Sequence, residues 1–167
     1  MILCKITDKK DFINKLLAGD CFYSFLLKEA IINGFVPFQI DGRINTSFFS
    51  DEDPDAAHFL SGEYAQWEDI RPICFDLIKG KRTPTKFQFI LYLKNEAADQ
   101  VLFKEHMTRD SAFVRHFVLN IRFEQGEMTL TTAVDYSAFT MDKQAEHLWD
   151  QALMKFLSGK QINYTIS

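Results

Sequence analysis

The sequence predicts an α+β domain: a largely antiparallel sheet with three helices packed mainly on one face, in the order β-α-β-β-β-α-β-β-β-α. Three observations predict it. Apolar residues alternate in short runs, as in Phe87, Phe89, Leu91 and Leu93, or Phe117, Leu119, Ile121 and Phe123, which is the period of a half-buried strand. Neighbouring runs are joined by the short turn signals Asp41-Gly42 and Gln125-Gly126, so they pair antiparallel. Finally, segments of helical period are interspersed among groups of strands instead of following every strand, which separates this pattern from a parallel α/β fold.

In chain order, residues 2–6 read as a strand and roughly 8–18 as a helix. Thr7 or Asp8 caps that helix, Phe12, Ile13, Leu16 and Leu17 form its buried stripe, and Gly19 supplies a left-handed stop. From Phe22 to Phe49 the pattern is that of strands: Ile31-Ile32-Asn33-Gly34 closes one, Val36, Phe38 and Ile40 alternate along the next, and Asp41-Gly42 turns into a third, "RINTSFF". "SDEDPDAAHFLSG" (50–62) is the one long loop. A helix follows with Tyr64, Trp67, Ile70, Cys74, Phe75 and Ile78 on one side; Pro72, lacking an N–H, either starts it or kinks it. Lys86 to Leu93 is a strand, and residues 95–106 are readable as helical or irregular. A long hairpin turns at Gln125-Gly126 and returns through Met128, Leu130 and Val134. The last helix carries Ala145, Leu148, Trp149, Ala152, Leu153, Phe156 and Leu157 at helical spacing, and Gly159 ends it.

The 167 residues fit a single domain, 1–167, and a chain near that length buries roughly 70% of its extended surface. Seventeen Phe predict a core built from rings. A net charge of −4 gives no global field for nucleic acid. Cys4, Cys21 and Cys74 are odd in number and form no CxxC pair, as expected of reduced thiols in the cytoplasm. No run of about 20 apolar residues exists to cross a bilayer, and "MILCKITDKK" lacks the apolar stretch of a signal peptide, so no membrane association is expected.

The stretch Leu77–Pro84, "LIKGKRTP", resembles a phosphate loop only superficially. A Walker-type loop needs GxxxxGK[ST] after a strand and before a helix, whereas here a helix ends and a strand begins. Lys79 near the helix end, Gly80 in a left-handed conformation and Pro84 as a breaker explain the same residues as a helix stop. The alternative is an anion or nucleic-acid patch formed by Lys79, Lys81, Arg82 and Lys86, sufficient for a few phosphate contacts. Asp51, Asp53 and Asp55 match three positions of a calcium loop, but Ala56 and Gly62 stand where the turn glycine and the bidentate carboxylate belong. His58, His106, His116 and His147 are scattered, with no HExxH and no zinc spacing; no metal and no cofactor are expected. Asp69 with Arg71, and Asp142 with Glu146, read as helix-terminal acids and surface pairs more readily than as catalytic pairs. His116 reads as a solvent-facing or interface residue on its strand.

Three blocks, "FLLKEAIINGFVPFQIDGRINTSFF", "WEDIRPICFDLIKGKRTP" and "FTMDKQAEHLWD", resemble a family of small bacterial proteins defined as a domain of unknown function. The similarity runs over nearly the whole chain, and Trp67 to Pro84 is its most specific part. It implies a bacterial cytoplasmic protein and brings no activity, ligand or catalytic residue. The order of elements is also similar to one domain of a sliding DNA clamp, which implies a DNA-facing set of Lys9, Lys10, Lys15, Arg71, Lys79 and Lys81. The third helix, the −4 charge and the single-domain length depart from that pattern.

The expectation is therefore a non-catalytic module for protein–protein association, with a protein partner or a homo-oligomer and with Phe48, Phe49 or Phe59 as exposed anchors. Nucleic-acid or phosphate binding through Lys79–Lys86 is the alternative. An enzyme, the third class, would need residues such as Cys74, His116 and Asp135 to converge in a pocket.

Overall fold

The computed structural model describes residues 1–167. Its strands are β1 (Leu3–Ile6), β2 (Phe25–Asn33), β3 (Pro37–Asp41), β4 (Lys86–Leu93), β5 (Val114–Glu124), β6 (Glu127–Tyr136) and β7 (Tyr164–Ile166). The helices are α1 (Lys9–Ile13), α2 (Ala56–Phe59), α3 (Trp67–Ile78), α4 (Asn95–Phe103) and α5 (Gln144–Gly159). One seven-stranded sheet has the order β3-β2-β4-β5-β6-β1-β7, with every neighbouring pair antiparallel. The α+β class holds, with five helices in place of three.

The alternation sets the two faces. Phe87, Phe89 and Leu91 of β4, Phe117, Leu119 and Ile121 of β5, and Met128 and Leu130 of β6 are buried under the helices. Phe12, Leu16, Trp67, Cys74, Leu102, Trp149 and Leu153 complete the same cluster from the helical side. Phe22 joins three rings, with centroids 5.7 Å from Phe12, 5.8 Å from Phe25 and 5.2 Å from Phe156. Each such buried side chain contributes roughly 1.5–3 kcal/mol over leaving it in water. On the opposite face Gln88 donates to Asn120 across β4 and β5 at 2.9 Å.

Asp8 caps α1 as expected, accepting from the Asp11 N–H at 3.1 Å. Gly19 does not stop it in a left-handed conformation. α1 runs on as a π-helical turn, Asn14–Ala18, closed by Gly19 N–H donating to the Asn14 carbonyl, and Gly19 itself is extended (φ −102°, ψ −173°). Gly159 is likewise the last helical residue of α5 and not its left-handed cap. Gln161 takes that position at φ 57°, with Ile162 N–H bonded to the Leu157 carbonyl at 2.9 Å. Pro72 neither begins α3 nor ends it; it lies inside the helix with no N–H to donate. Gln125 and Gly126 do make the expected hairpin turn, both with positive φ (52° and 76°).

The third strand expected at "RINTSFF" does not form. The β2–β3 hairpin turns at Gly34–Val36, where the closing Ile31-Ile32-Asn33-Gly34 put the end of the first strand; Gly34 N–H donates to the Val36 carbonyl, and the chain leaves the sheet after Asp41. β2 is bulged between Leu27 and Glu29, and Gly42 lies against the bulge with its N–H bonded to the Lys28 carbonyl at 2.8 Å. Only an isolated Arg43–Tyr64 bridge and a 3₁₀ turn, Thr46–Phe48, follow. The expected loop 50–62 contains the short α2, residues 95–106 begin with the regular helix α4, and β7 was not expected.

Candidate protein-binding surface

Antiparallel pairing gathers the start of β2, the end of β4, the start of β5 and the end of β6 at one end of the sheet. Three excursions leave from this end: residues 42–66, the stretch 94–113 containing α4, and residues 137–143. They carry six of the twelve large apolar side chains that stay in solvent: Phe48 (79% exposed), Leu60, Phe103 (72%), Phe113, Phe139 (90%) and Met141. Phe113 is held there with φ 56°, and its carbonyl accepts from Ser137 N–H at 2.8 Å, which ties the second excursion to the third.

The first excursion is a small aromatic knuckle. Phe49 stacks on Phe59 with centroids 5.3 Å apart, and Phe48 meets the Phe49 ring edge-on at 5.3 Å. Of the three expected anchors Phe48 is exposed, while Phe49 and Phe59 are half-buried and support it. His58 Nε2 lies 2.9 Å from the Asp69 carboxylate on α3, which fixes the knuckle to the body. The run Asp51, Glu52, Asp53 and Asp55 projects from it without forming an ion pair; Asp53 accepts only from Asp55 N–H at 2.9 Å. The three aspartates build no cation cage, and no cluster of three or more His, Cys, Asp or Glu side chains in the chain could hold a metal ion.

Between α4 and α5 runs an open groove of about 530 Å³. Phe25, Leu93, Val101, Trp149 and Phe156 line its apolar part, and Lys104, Lys155 and Lys160 stand around it. Trp149 is held in place by its indole N–H, which donates to the Val118 carbonyl at 2.9 Å. These lysines escape sequence reading because Lys104 follows a helix with no decisive period, so only the α5 wall could be drawn beforehand.

The other expected residues stand apart. Lys79 pairs with Asp76 at 2.9 Å and lies over the Phe75 ring, Lys81 and Arg82 are exposed with no acidic partner, and Lys86 faces the open side of the sheet opposite Glu124. Gly80 has positive φ at 138°, but Lys79 before it is extended, so α3 ends at Ile78. Of the clamp-like set, Lys9 donates to the Gly126 carbonyl, Lys15 pairs with Asp11 at 2.8 Å and Arg71 donates to the Leu17 carbonyl. Asp69 thus serves His58 and not Arg71. Asp142 accepts from Gln144 N–H at 2.9 Å at the start of α5, and Glu146 accepts from Lys143 at 3.1 Å.

Cys74 is sealed in the helical side of the core, where burial pushes its thiol up to about 12. His116 and Asp135 are register partners on the other face, so the sheet separates them from Cys74. His116 stacks on Tyr92 with centroids 4.0 Å apart and planes 2° apart, while Tyr64 meets Tyr92 edge-on at 5.1 Å. His116 Nδ1 is buried without a partner. Burial lowers the pKa of His116 against the opposing pull of Asp135 and Glu63. Burial, then Tyr64 and Asp135, push the Tyr92 hydroxyl up to about 12.

No helix is long and apolar enough to cross a membrane. No curated protein and no solved structure matches the chain. Residues 15–165 match a family of unknown function (DUF5721), and the chain belongs to that family.

Proposed function

We propose that the protein is a non-catalytic module for protein–protein association, working in the cytoplasm and binding through the end of the sheet that carries the three excursions. One observation carries this reading: Phe48, Phe103, Phe139 and Met141 are solvent-exposed on separate segments that the topology brings to one end. Scattered single apolar residues need no explanation, whereas several gathered at one end supply the aromatic and Met anchors that interfaces favour. Three free cysteines, two of them buried, agree with a reducing setting. Size fractionation of cell extract tests the reading. The chain should run in an assembly above its 19.4 kDa mass, and Phe48→Asp or Phe139→Asp should return it to that mass. Wild-type chain running as a monomer both in extract and when purified at high concentration would overturn it.

A second reading, nucleic-acid or phosphate binding, draws on Lys81 and Arg82, which are exposed with no acid to neutralise them. It expects salt-sensitive retention on heparin that drops in Lys81→Ala/Arg82→Ala. Equal retention of that double variant would remove it.

A further inference from the structure

The protein carries both halves of a contact, and we propose that they meet in a two-fold dimer: the acidic knuckle of one copy, residues 46–60, docks into the lysine-rimmed α4–α5 groove of a second copy, and reciprocally. This rests on the association reading and names the partner. The two surfaces match in chemistry. The groove offers Val101, Trp149 and Phe156 with Lys104, Lys155 and Lys160 around them. The knuckle offers an exposed Phe48 with Asp51, Glu52, Asp53 and Asp55 beside it.

Neither set of charges forms an ion pair within the chain. Ion pairs hold Lys5, Lys15, Lys79, Lys94 and Lys143, yet Lys104 and Lys155 have no acid partner, and Lys160 lies only over the Phe156 ring at 5.9 Å. The four acids of the knuckle are equally unpaired. Opposite charges facing across an interface fix its register and speed its formation. Because each chain carries −4 overall, two copies repel at long range, so the attraction has to be local and matched.

Placement favours a reciprocal contact. α4 stands between the two surfaces: its start, Asn95 and Glu96, shares a crease with Ser61, Gly62 and Gln66 of the first excursion, while Ala97, Gln100 and Val101 face the groove. A two-fold axis near α4 sets the knuckle of each copy against the groove of the other. The knuckle is held to its own α3 by His58 and Asp69, on the far side of α4 from its own groove. Ala97, Ala152 and Gly159 in the groove walls leave room for an incoming ring.

Charge exchange tests the contact directly. Lys104→Glu/Lys155→Glu and Asp51→Lys/Glu52→Lys alter side chains without hydrogen bonds or ion pairs, and unchanged circular dichroism and unfolding midpoints check that both variants fold. By light scattering the purified wild type should show twice the 19.4 kDa chain mass, and each variant alone should dimerise more weakly by about 100-fold or more. An equimolar mixture of the two should restore the dimer, because the groove with two glutamates then meets the knuckle with two lysines, and the unchanged lysine-rimmed groove meets the unchanged acidic knuckle. The proposal fails if the variants remain dimers, if the mixture stays monomeric, or if the wild type is a monomer whose groove takes up laurate instead. A purified monomer alongside an assembly in extract that Phe48→Asp disrupts would sink the dimer and leave the association reading standing; loss of both would sink the two together.

Discussion

Replacing Gly42 by alanine isolates how the first excursion is fastened to the sheet. A Cβ at Gly42 would lie 1.8 Å from the Leu27 carbonyl oxygen, 2.6 Å from its carbon and 3.1 Å from the Lys28 oxygen. All three are backbone atoms, so no side-chain rotation relieves the clash, and the two chains must separate by about 1.2 Å for the nearest contact to reach 3.0 Å. That movement strains the Gly42 N–H bond to Lys28 and the Ala65 N–H bond to the Gly42 carbonyl, both 2.8 Å long. Two backbone bonds contribute about 1–3 kcal/mol net, and overpacking a filled site costs about 1–3 kcal/mol. The expected loss is thus about 2–6 kcal/mol in urea unfolding. Gly62→Ala is the matched control, because nothing lies within 4 Å of its added methyl. A Gly42→Ala protein within about 0.5 kcal/mol of wild type, the range of ordinary surface changes, would refute the claim that close backbone approach selects glycine here.

Native protein treated with iodoacetamide should be modified at Cys21 alone by mass spectrometry, because Cys74 and Cys4 are fully buried and burial raises both their thiols; labelling of all three before unfolding contradicts the packing. Stability should fall at both pH extremes. Tyr92 and Tyr136, each pushed up to about 12 chiefly by burial, hold protons that the unfolded chain loses near 10, so the alkaline loss should spread between those values and shrink in Tyr92→Phe. His116, lowered by burial, refuses a proton that the unfolded chain accepts near 6.5, so stability should decline below that pH, and His116→Phe should flatten the decline. Gln161→Gly should raise stability by about 0.5–1 kcal/mol in the same urea assay, because a left-handed position strains any residue with a Cβ; destabilisation would mean that the Gln161 side chain has a role beyond the cap.

Elements with a clean period could be read from the chain alone: β4, the β5–β6 hairpin and α5 all follow their apolar spacing. Errors fell where tertiary context outweighs local signal. Asp41-Gly42 has the composition of a hairpin turn, but its glycine answers to the β2 bulge, a contact with residues fourteen or more positions away. Gly19 and Gly159 look like left-handed caps, yet a π-helical turn satisfies one end and Gln161 closes the other. β7 is three residues long, too short to show any period, and exists through its pairing with β1. Phe48 was legible as an anchor because an aromatic pair beside an acidic run has few neighbours to bury it. The groove lysines were not, since they become neighbours only when α4 packs on α5.

The π-helical turn at Asn14–Ala18 has a consequence for how order spreads through the chain. Two of its carbonyls are claimed by α3: Leu16 receives the Trp67 indole N–H at 3.1 Å, and Leu17 receives Arg71. A segment this short is marginal in isolation, so its final turn settles only once residues some fifty positions downstream arrive to claim those oxygens. Amide protection along residues 14–19 therefore reports on the docking of α3, and a change at Trp67 should register as fraying near the beginning of the chain.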